Sequence, residues 1–453
     1  MSSNSLSRVD LIREAFHYQS RFEGSTMVFK IDFPLTEDPG FPYLMKDLAL
    51  LARTGFKVVI VPGAKEWIDS VLNEYGIVSS YTAGTEETPS ARITTKAAIP
   101  FVEMAAYHVA ARFMTFLSGS RVDAVIGNFV RARGLGVING VDMECTGTVD
   151  KIYTGSIGRV LNLGMVPILP CIGRNPLGKS YNVASDEIAL AASVALGAVK
   201  FFIVSAHEGI RAGTCRLPEN TELDEDGRVV RLRPQEAEAL LALNAGGGQN
   251  ASGRRSLREL SLALKACRAG VERVHIIDGR EEGAVLKELF SNLGAGVMVY
   301  ADDEYESIRP LRSRDLPDIL RLMEPLMQKG VLVRRSAEQI QEKKDDYVVY
   351  EMDSSVHACG ALHDWGENQA EIAAIATDPL YADLGLGRRI VGCLIERARK
   401  NGFGRVFVLT TQTQDWFETL GFREAAVESL PDRKRRLYDQ SRRSKVFALE
   451  LDS

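Results

Sequence analysis

Residues 370–399, AEIAAIATDPLYADLGLGRRIVGCLIERAR, limit what this chain can fold into more than any other stretch. A short apolar run, Ile372 to Thr377, reads as a strand, and a proline-containing turn follows it. Next come Gly385-Leu386-Gly387 and an amphipathic helix in which Ile390, Val391, Leu394, Ile395 and Ala398 share one face, the spacing of a 3.6-residue period. Two glycines between strand and helix let backbone N–H groups converge on an anion at the positive helix terminus. The stretch therefore reads as a phosphate-binding turn carried by a strand–helix unit.

The rest of the chain divides near residue 300. Before it, the apolar runs Val58–Val61, Val122–Ile126 and Phe201–Val204 alternate with the helical patterns Ile99–Phe116 and Asp186–Leu196. That alternation predicts a mainly parallel sheet covered by helices on both faces. The acidic segment 301–307 reads as a linker between domains over 1–300 and 308–453, with a new strand starting at Ile308. Within the first domain, Asp226-Gly227 signals a hairpin and Asn244–Gly253 a flexible loop. A chain of 453 residues with 45% apolar content can build cores of this kind. Its net charge of −5 offers no basic surface for nucleic acid or an anionic membrane. The N-terminus lacks a signal core and no 18-residue apolar run occurs, which predicts a cytoplasmic protein. The six cysteines are scattered and lack metal-site spacing, so no metal is expected. Basic residues cluster at Arg433–Arg436 and Arg442–Lys445, and a solvated face is the expectation for Arg433, Lys434 and Arg435.

The strand–turn–helix of 370–399 resembles the acetyl-CoA pyrophosphate loop of the GCN5-related N-acetyltransferases, departing from it at Ala382. The segments Gly330–Ile340, Arg405–Glu424 and Leu430–Phe447 extend the likeness, in order, to the acetyltransferase half of the bacterial, arginine-inhibited N-acetylglutamate synthases. That resemblance covers nearly the whole chain and implies an α/β protein. Its N-terminal half would be an amino-acid kinase-like αβα sandwich and its C-terminal half an α+β acetyltransferase domain. The implied reaction is acetyl transfer from acetyl-CoA to L-glutamate. Asp383, Leu384, Gly385, Leu386, Gly387 and Arg388 would hold the cofactor, and backbone N–H groups at Ile375, Ala376 and Thr377 would face the thioester oxygen. Leu332 through its backbone, Arg334, Arg442 and Ser444 would bind the two substrate carboxylates, since paired guanidiniums suit paired carboxylates. By strand alternation, Arg335 and Arg443 should face away. Glu371 matches the general base and Thr410 the proton donor. The competing readings are a strand-edge glutamate in solvent and a buried threonine satisfying backbone. Cys359 and Cys393 have no neighbouring histidine for an acyl-enzyme route, and Cys393 reads as a core residue.

The first domain resembles acetylglutamate kinase, with its phosphate loops reduced. The strand Met27–Ile31 ends in Asp32-Phe33-Pro34, and Val61-Pro62-Gly63-Ala64-Lys65 keeps a single glycine. Asp186 is kept, but Ala184 stands where the kinases have asparagine. Phosphoryl transfer depends on phosphate positioning, so a kinase scaffold retained for regulation is expected, with Lys30 and Asp186 structural. Residues 275–296 resemble the arginine site of arginine-inhibited kinases, which implies His275 beside L-arginine, Glu288 on its guanidinium, and Gly294 and Gly296 in a closing loop. A solvated Glu288 and a strand-capping His275 are the alternative. Leu6, Val9, Ile12 and Phe16 form an apolar stripe on an N-terminal helix with a capping signal at Ser7 and Asp10. Packing on its own domain and an oligomer contact both fit that stripe, and the resemblance implies a homo-oligomer, a hexamer. Two other functions stay open on the sequence: an active acetylglutamate kinase with an appended acetyltransferase, and an arginine-sensing protein-lysine acetyltransferase.

Overall fold

The structure is a computed structural model describing residues 16, 19, 22–82, 91–219, 221–224, 226–247, 249–290, 295–301, 306–352, 355–379, 381 and 385–451. The chain divides into two compact units, Ser7–Asp302 and Asp303–Ser453.

The first unit is built on eight strands: β1 Thr26–Ile31, β2 Lys57–Pro62, β3 Ala124–Ile126, β4 Val166–Ile168, β5 Lys200–Ser205, β6 Arg231–Leu232, β7 Arg273–Asp278 and β8 Val297–Tyr300. They form one sheet in the order β6-β8-β7-β5-β1-β2-β4-β3. Every neighbouring pair is parallel except β7 with β8. Phe29, Ile60 and Phe202 face one helical layer, made by α1 (Phe41–Arg53) and α2 (Ile99–Gly119). Val28, Val59 and Ile203 face the other, made by α3 (Ser185–Ala195) and α4 (Ala251–Arg268). With both faces covered, the central strands need no polar side, which is why they read as unbroken apolar runs. A second sheet of four strands joins Val130–Gly134, Gly147–Ile152, Ile172–Arg174 and Ser180–Asn182.

Two local expectations change here. The hairpin at Asp226-Gly227 is a turn with isolated bridges only, Arg211 to Arg228 and Leu223 to Val229. The Asp224 side chain takes the N–H groups of Asp226 and Arg228 at 3.0 and 2.8 Å, and such local bonds compete with a ladder. The loop Asn244–Gly253 turns helical at Ala251. Asn250 caps α4 by accepting from the Gly253 N–H at 2.8 Å. Gly253 sits in this first turn because a Cβ there would lie 2.3 Å from the Thr214 carbonyl oxygen. Of the N-terminal stripe, Phe16 is exposed, and Leu6, Ser7, Val9, Asp10 and Ile12 lie outside the described residues.

The second unit has a seven-stranded sheet: β9 Glu306–Pro310, β10 Tyr347–Met352, β11 Ser355–Asp364, β12 Gln369–Thr377, β13 Arg405–Thr410, β14 Arg423–Ala425 and β15 Lys445–Glu450. The order is β9-β10-β11-β12-β13-β15-β14, with β12 and β13 parallel and all other pairs antiparallel. β9 begins two residues before the expected start at Ile308, because Glu306 pairs with Met352 and bonds the Tyr350 hydroxyl. The helix α5 (Ala284–Phe290) belongs to the first unit; α6 (Leu316–Gln328) and α7 (Leu386–Lys400) cover opposite faces of this sheet. Ile319, Leu322 and Met323 of α6 pack with Val349, Cys359 and Ala361. α7 lies close over Gly360, where a Cβ would meet Ile390 Cγ2 at 2.6 Å.

Candidate active site

The site begins where two parallel strands part. β12 and β13 pair only at Gln369–Arg405, Ala370–Val406 and Glu371–Phe407. Beyond Glu371, β12 runs on to Thr377 while β13 stays with β15 as far as Thr410. The cause lies in β12 itself. Opposite β11 the register shifts between Cys359 and Ala361, so Ala374 and Ile375 face the single residue Gly360. Ala374 takes a left-handed φ of 55°, a conformation uncommon outside glycine and typical of a bulge. The bulge turns the strand, and the edge of β12 from Ile375 to Thr377 has no ladder partner in β13. Backbone N–H groups on such an open edge can meet an oxygen that gains charge during acyl transfer.

β12 leads into the glycine turn. Gly385 sits at the N-cap of α7 with φ 62°, which strains any residue with a Cβ. Among the described residues no side chain caps this helix, which leaves its first N–H groups without an intrahelical partner. A cavity of about 250 Å³ opens there, lined by Thr377, Tyr381, Gly385, Leu386, Gly387, Arg388 and Trp416. Trp416 belongs to α8 (Gln414–Thr419), and a Cβ on Gly387 would lie 3.3 Å from its ring. An uncapped helix terminus, a glycine cradle and an aromatic wall suit the pyrophosphate and chain of acetyl-CoA. The expected residues Gly385, Leu386, Gly387, Arg388 and Thr377 meet here, whereas Asp383 and Leu384 lie outside the described residues. Tyr381 and Trp416 were not singled out from the sequence; the aromatic helix after β13 was the available signal.

Glu371 lies at the point of the splay, buried to 6% exposure, so it is no solvated edge residue. Its carboxylate accepts from Lys434 Nζ at 2.7 Å (Oε1) and 2.6 Å (Oε2), and from Trp365 Nε1 at 2.8 Å (Oε2). Lys434 stands on α9 (Asp432–Arg436), and the expectation of a solvated face for it does not hold. The Thr410 hydroxyl is buried and engaged in its own turn. It meets Thr413 Oγ1 at 2.8 Å and accepts from the Thr413 N–H at 3.1 Å. That is a threonine satisfying backbone, through an N–H rather than a carbonyl. Cys359 is buried with its thiol pushed up to about 12 by desolvation, and Cys393 is half-buried.

The carboxylate-binding candidates come together only in part. Arg442 donates to the carbonyls of Gly330 and Val331 at 2.9 and 3.0 Å, tying its segment to the loop that carries Leu332 and Arg334. The Leu332 N–H is taken by the Leu326 carbonyl at 3.2 Å, closing the end of α6. Arg334 is exposed, and Arg335 is the half-buried one, its charge reaching Tyr347, Cys359 and His363. The expected alternation fails because residues 332–335 are irregular and no strand sets their faces. Arg443 is exposed, and Ser444 gives its carbonyl to the Tyr438 hydroxyl at 2.5 Å.

In the first unit, the kinase-type phosphate loops are closed on themselves. The Gly63 N–H donates to the Ile31 carbonyl at 2.7 Å. Lys30 is held between Asp32 and Asp186, the latter at 2.9 Å. Burial alone would lower the Lys30 pKa, but the two carboxylates raise it above its usual range. His275 and Glu288, on β7 and α5, are both buried and bonded Nδ1 to Oε1 at 2.6 Å. The other Glu288 oxygen accepts from the N–H groups of Ala295 and Gly296. Burial pushes the Glu288 carboxyl up, but these partners hold it below its usual range, while desolvation lowers His275. His275 is then a neutral ring donating from Nδ1, with Nε2 buried and unpaired among the described residues. Glu288 is thus neither solvated nor open to a guanidinium, and His275 caps no strand end. Gly296 serves a close approach, since a Cβ would lie 2.1 Å from the Ile276 carbonyl oxygen; Gly294 lies outside the described residues. Among the described residues no group of three or more His, Cys, Asp or Glu is placed for a metal, and no helix is long and apolar enough to cross a membrane.

The amino acid kinase family model matches residues 34–278 and the acetyltransferase (GNAT) family model residues 315–422. Fold and site define a GNAT-type acetyltransferase joined to an amino acid kinase-type unit. Full-length relatives narrow this. The amino-acid acetyltransferase of Pseudomonas fluorescens is 33% identical over 450 residues, covering 98% of this chain and 99% of its own. That of Pasteurella multocida is 33% identical over 452 residues, covering 98% of each chain. The crystal structure of N-acetylglutamate synthase from Neisseria gonorrhoeae with coenzyme A and L-arginine is 31% identical, with a TM-score of 0.82 over 99% of this chain and 100% of that one. The same enzyme with coenzyme A and N-acetyl-glutamate gives a TM-score of 0.59 at the same identity and coverage. The chain belongs to the amino-acid acetyltransferases, enzymes that move an acetyl group from acetyl-CoA to an amino acid's amino group.

Proposed function

We propose that this enzyme is an N-acetylglutamate synthase, acetylating L-glutamate in the first step of L-arginine biosynthesis, with residues 1–300 as a regulatory domain that senses L-arginine. The observation that carries this reading is the full-length similarity to a synthase solved with coenzyme A, N-acetyl-glutamate and L-arginine. Acetyl-CoA supplies the thioester, held by the Gly385–Arg388 turn and the cavity beside Trp416. Glu371 accepts a proton from the substrate ammonium. The freed nitrogen pair forms the new C–N bond and the C–S bond breaks, the sulfur leaving with a proton. N–H groups between Ile375 and Thr377 steady the carbonyl oxygen as its charge grows. Arg442, Arg334 and Ser444 provide the carboxylate contacts. Thr410 can give the leaving sulfur its proton when Thr413 donates to Thr410 rather than the reverse.

For L-arginine, the buried and unpaired His275 Nε2 supports a ligand that brings N–H groups. Glu288 fixes that ring and the Ala295–Gly296 backbone beside it. The spent glycine N–H and the Lys30–Asp32–Asp186 cluster argue against phosphoryl transfer. The test is release of coenzyme A with each of the twenty amino acids, with and without arginine, plus an ATP assay on acetylglutamate. Glutamate should be the single good acceptor, arginine should change its rate, and no ATP should be consumed. Release with peptidyl lysine but not glutamate would sink the assignment.

A further inference from the structure

We propose that Lys434 is a positioning residue for acetyl transfer, holding the Glu371 carboxylate turned so that Oε1 receives the proton. The inference deepens the reading of Glu371 as the base and rests on it. A carboxylate has about four acceptor positions. Oε2 has two bonds, from Lys434 and Trp365, whereas Oε1 has one. Oε1 therefore keeps room for a further N–H or water. The ammonium lies 4.7 Å from the centre of the Trp365 ring, and the Arg433 guanidinium 5.6 Å from it. The Lys434 side chain is 14% exposed and that of Glu371 7%, so water screens this pair little.

The position of Lys434 links the base to the substrate contacts. Beyond α9 the chain continues through Tyr438, which bonds Ser444, to Arg442, which holds the Gly330–Val331 loop. One continuous segment thus spans the proton acceptor and the carboxylate contacts. Other charged groups face Glu371 as well. His363 of β11 stands opposite it in register and bonds Asp346 at 2.6 Å. Arg335 acts on that histidine from the 330–336 loop. Among the described residues, only Lys434 places a full charge against both carboxylate oxygens.

The test is Lys434→Met in the full chain, with kcat, KM and pH profiles from about pH 5.5 to about pH 9, the range in which a general base is read out. Removing the ammonium takes away the partner that fixes both carboxylate oxygens, so the loss falls on kcat rather than on either KM. At neutral pH kcat falls by about ten- to a hundredfold, as when a functional group loses the partner that orients it. The deficit shrinks as pH rises, and KM for acetyl-CoA stays put. Lys434→Arg restores most of the rate, and Trp365→Phe gives a smaller loss of kcat. If Lys434→Met does not fold, the Trp365→Phe and Lys434→Arg rates decide. An unchanged kcat, or one that rises on removing Lys434, overturns the proposal. Glu371→Gln separates the two readings. Near-normal turnover there removes the base itself, whereas an inactive Glu371→Gln beside a Lys434→Met enzyme of wild-type turnover removes only the role of Lys434.

Discussion

Arg442 spends its guanidinium on two backbone carbonyls while remaining beside the loop that bears Arg334. Its loss should therefore act twice, loosening that loop and removing a carboxylate partner. Charged hydrogen bonds are worth about 1.5–3 kcal/mol. Arg442→Ala should raise KM for glutamate roughly ten- to a hundredfold. Arg442→Lys should fall between, since an ammonium cannot reproduce the planar fork. Steady-state kinetics would show it, and an unaltered glutamate KM in both variants would remove Arg442 from the site. Glu259 makes a second residue-scale case. Burial and the nearby Asp32 charge push its carboxyl up to about 8. Its folded pKa lies above its unfolded one, near 4.3, so the native state binds the extra proton between them. Stability from this group is complete below about pH 4.3 and is lost as pH rises towards 8. Glu259→Gln should flatten that slope by on the order of a few kcal/mol across the window. Urea unfolding at a series of pH values measures it, and identical slopes would count against it.

At the scale of elements, the acetyltransferase unit depends on two backbone irregularities. The bulge at Ala374 parts β12 from β13, and the left-handed Gly385 starts α7 without a side-chain cap. Both elements were legible, because a strand run and a 3.6-residue stripe are local patterns. The bulge was not, since nothing in Ala373-Ala374-Ile375 marks one alanine for a positive φ. It falls opposite Gly360 on the neighbouring strand, which α7 approaches closely. Gly385→Ala should cost about 1–2 kcal/mol at the turn, the penalty of a Cβ in that conformation. The effect should appear as a raised KM for acetyl-CoA with glutamate KM unchanged. Equal effects on both substrates would mean that the turn does not hold the cofactor separately.

For the whole molecule, the proposed arginine response requires a kinase-type unit to act on chemistry carried by the other unit. An effector works only by binding two global states unequally, and the coupling is reciprocal. Glu288→Gln should abolish the arginine response while leaving the uninhibited rate nearly intact. It removes the charge that holds His275 and the Ala295–Gly296 backbone, yet no residue assigned to chemistry lies on that unit. Arginine titration of initial rates, with thermal unfolding as a folding control, tests this; full arginine sensitivity in the folded variant would refute it. The sequence by itself determined the main strands and helices and the glycine turn, because these follow from local periodicity and contiguous residues, while both fold families came from its resemblance to known proteins. Only the tertiary structure decided which side chains are free to act. It set Lys434, 63 residues away, against Glu371, closed Glu288 with backbone from a neighbouring loop, and half-buried Arg335 in place of Arg334. Hydrogen-bond satisfaction and burial depend on groups brought together across the fold, and no local pattern in the chain encodes them.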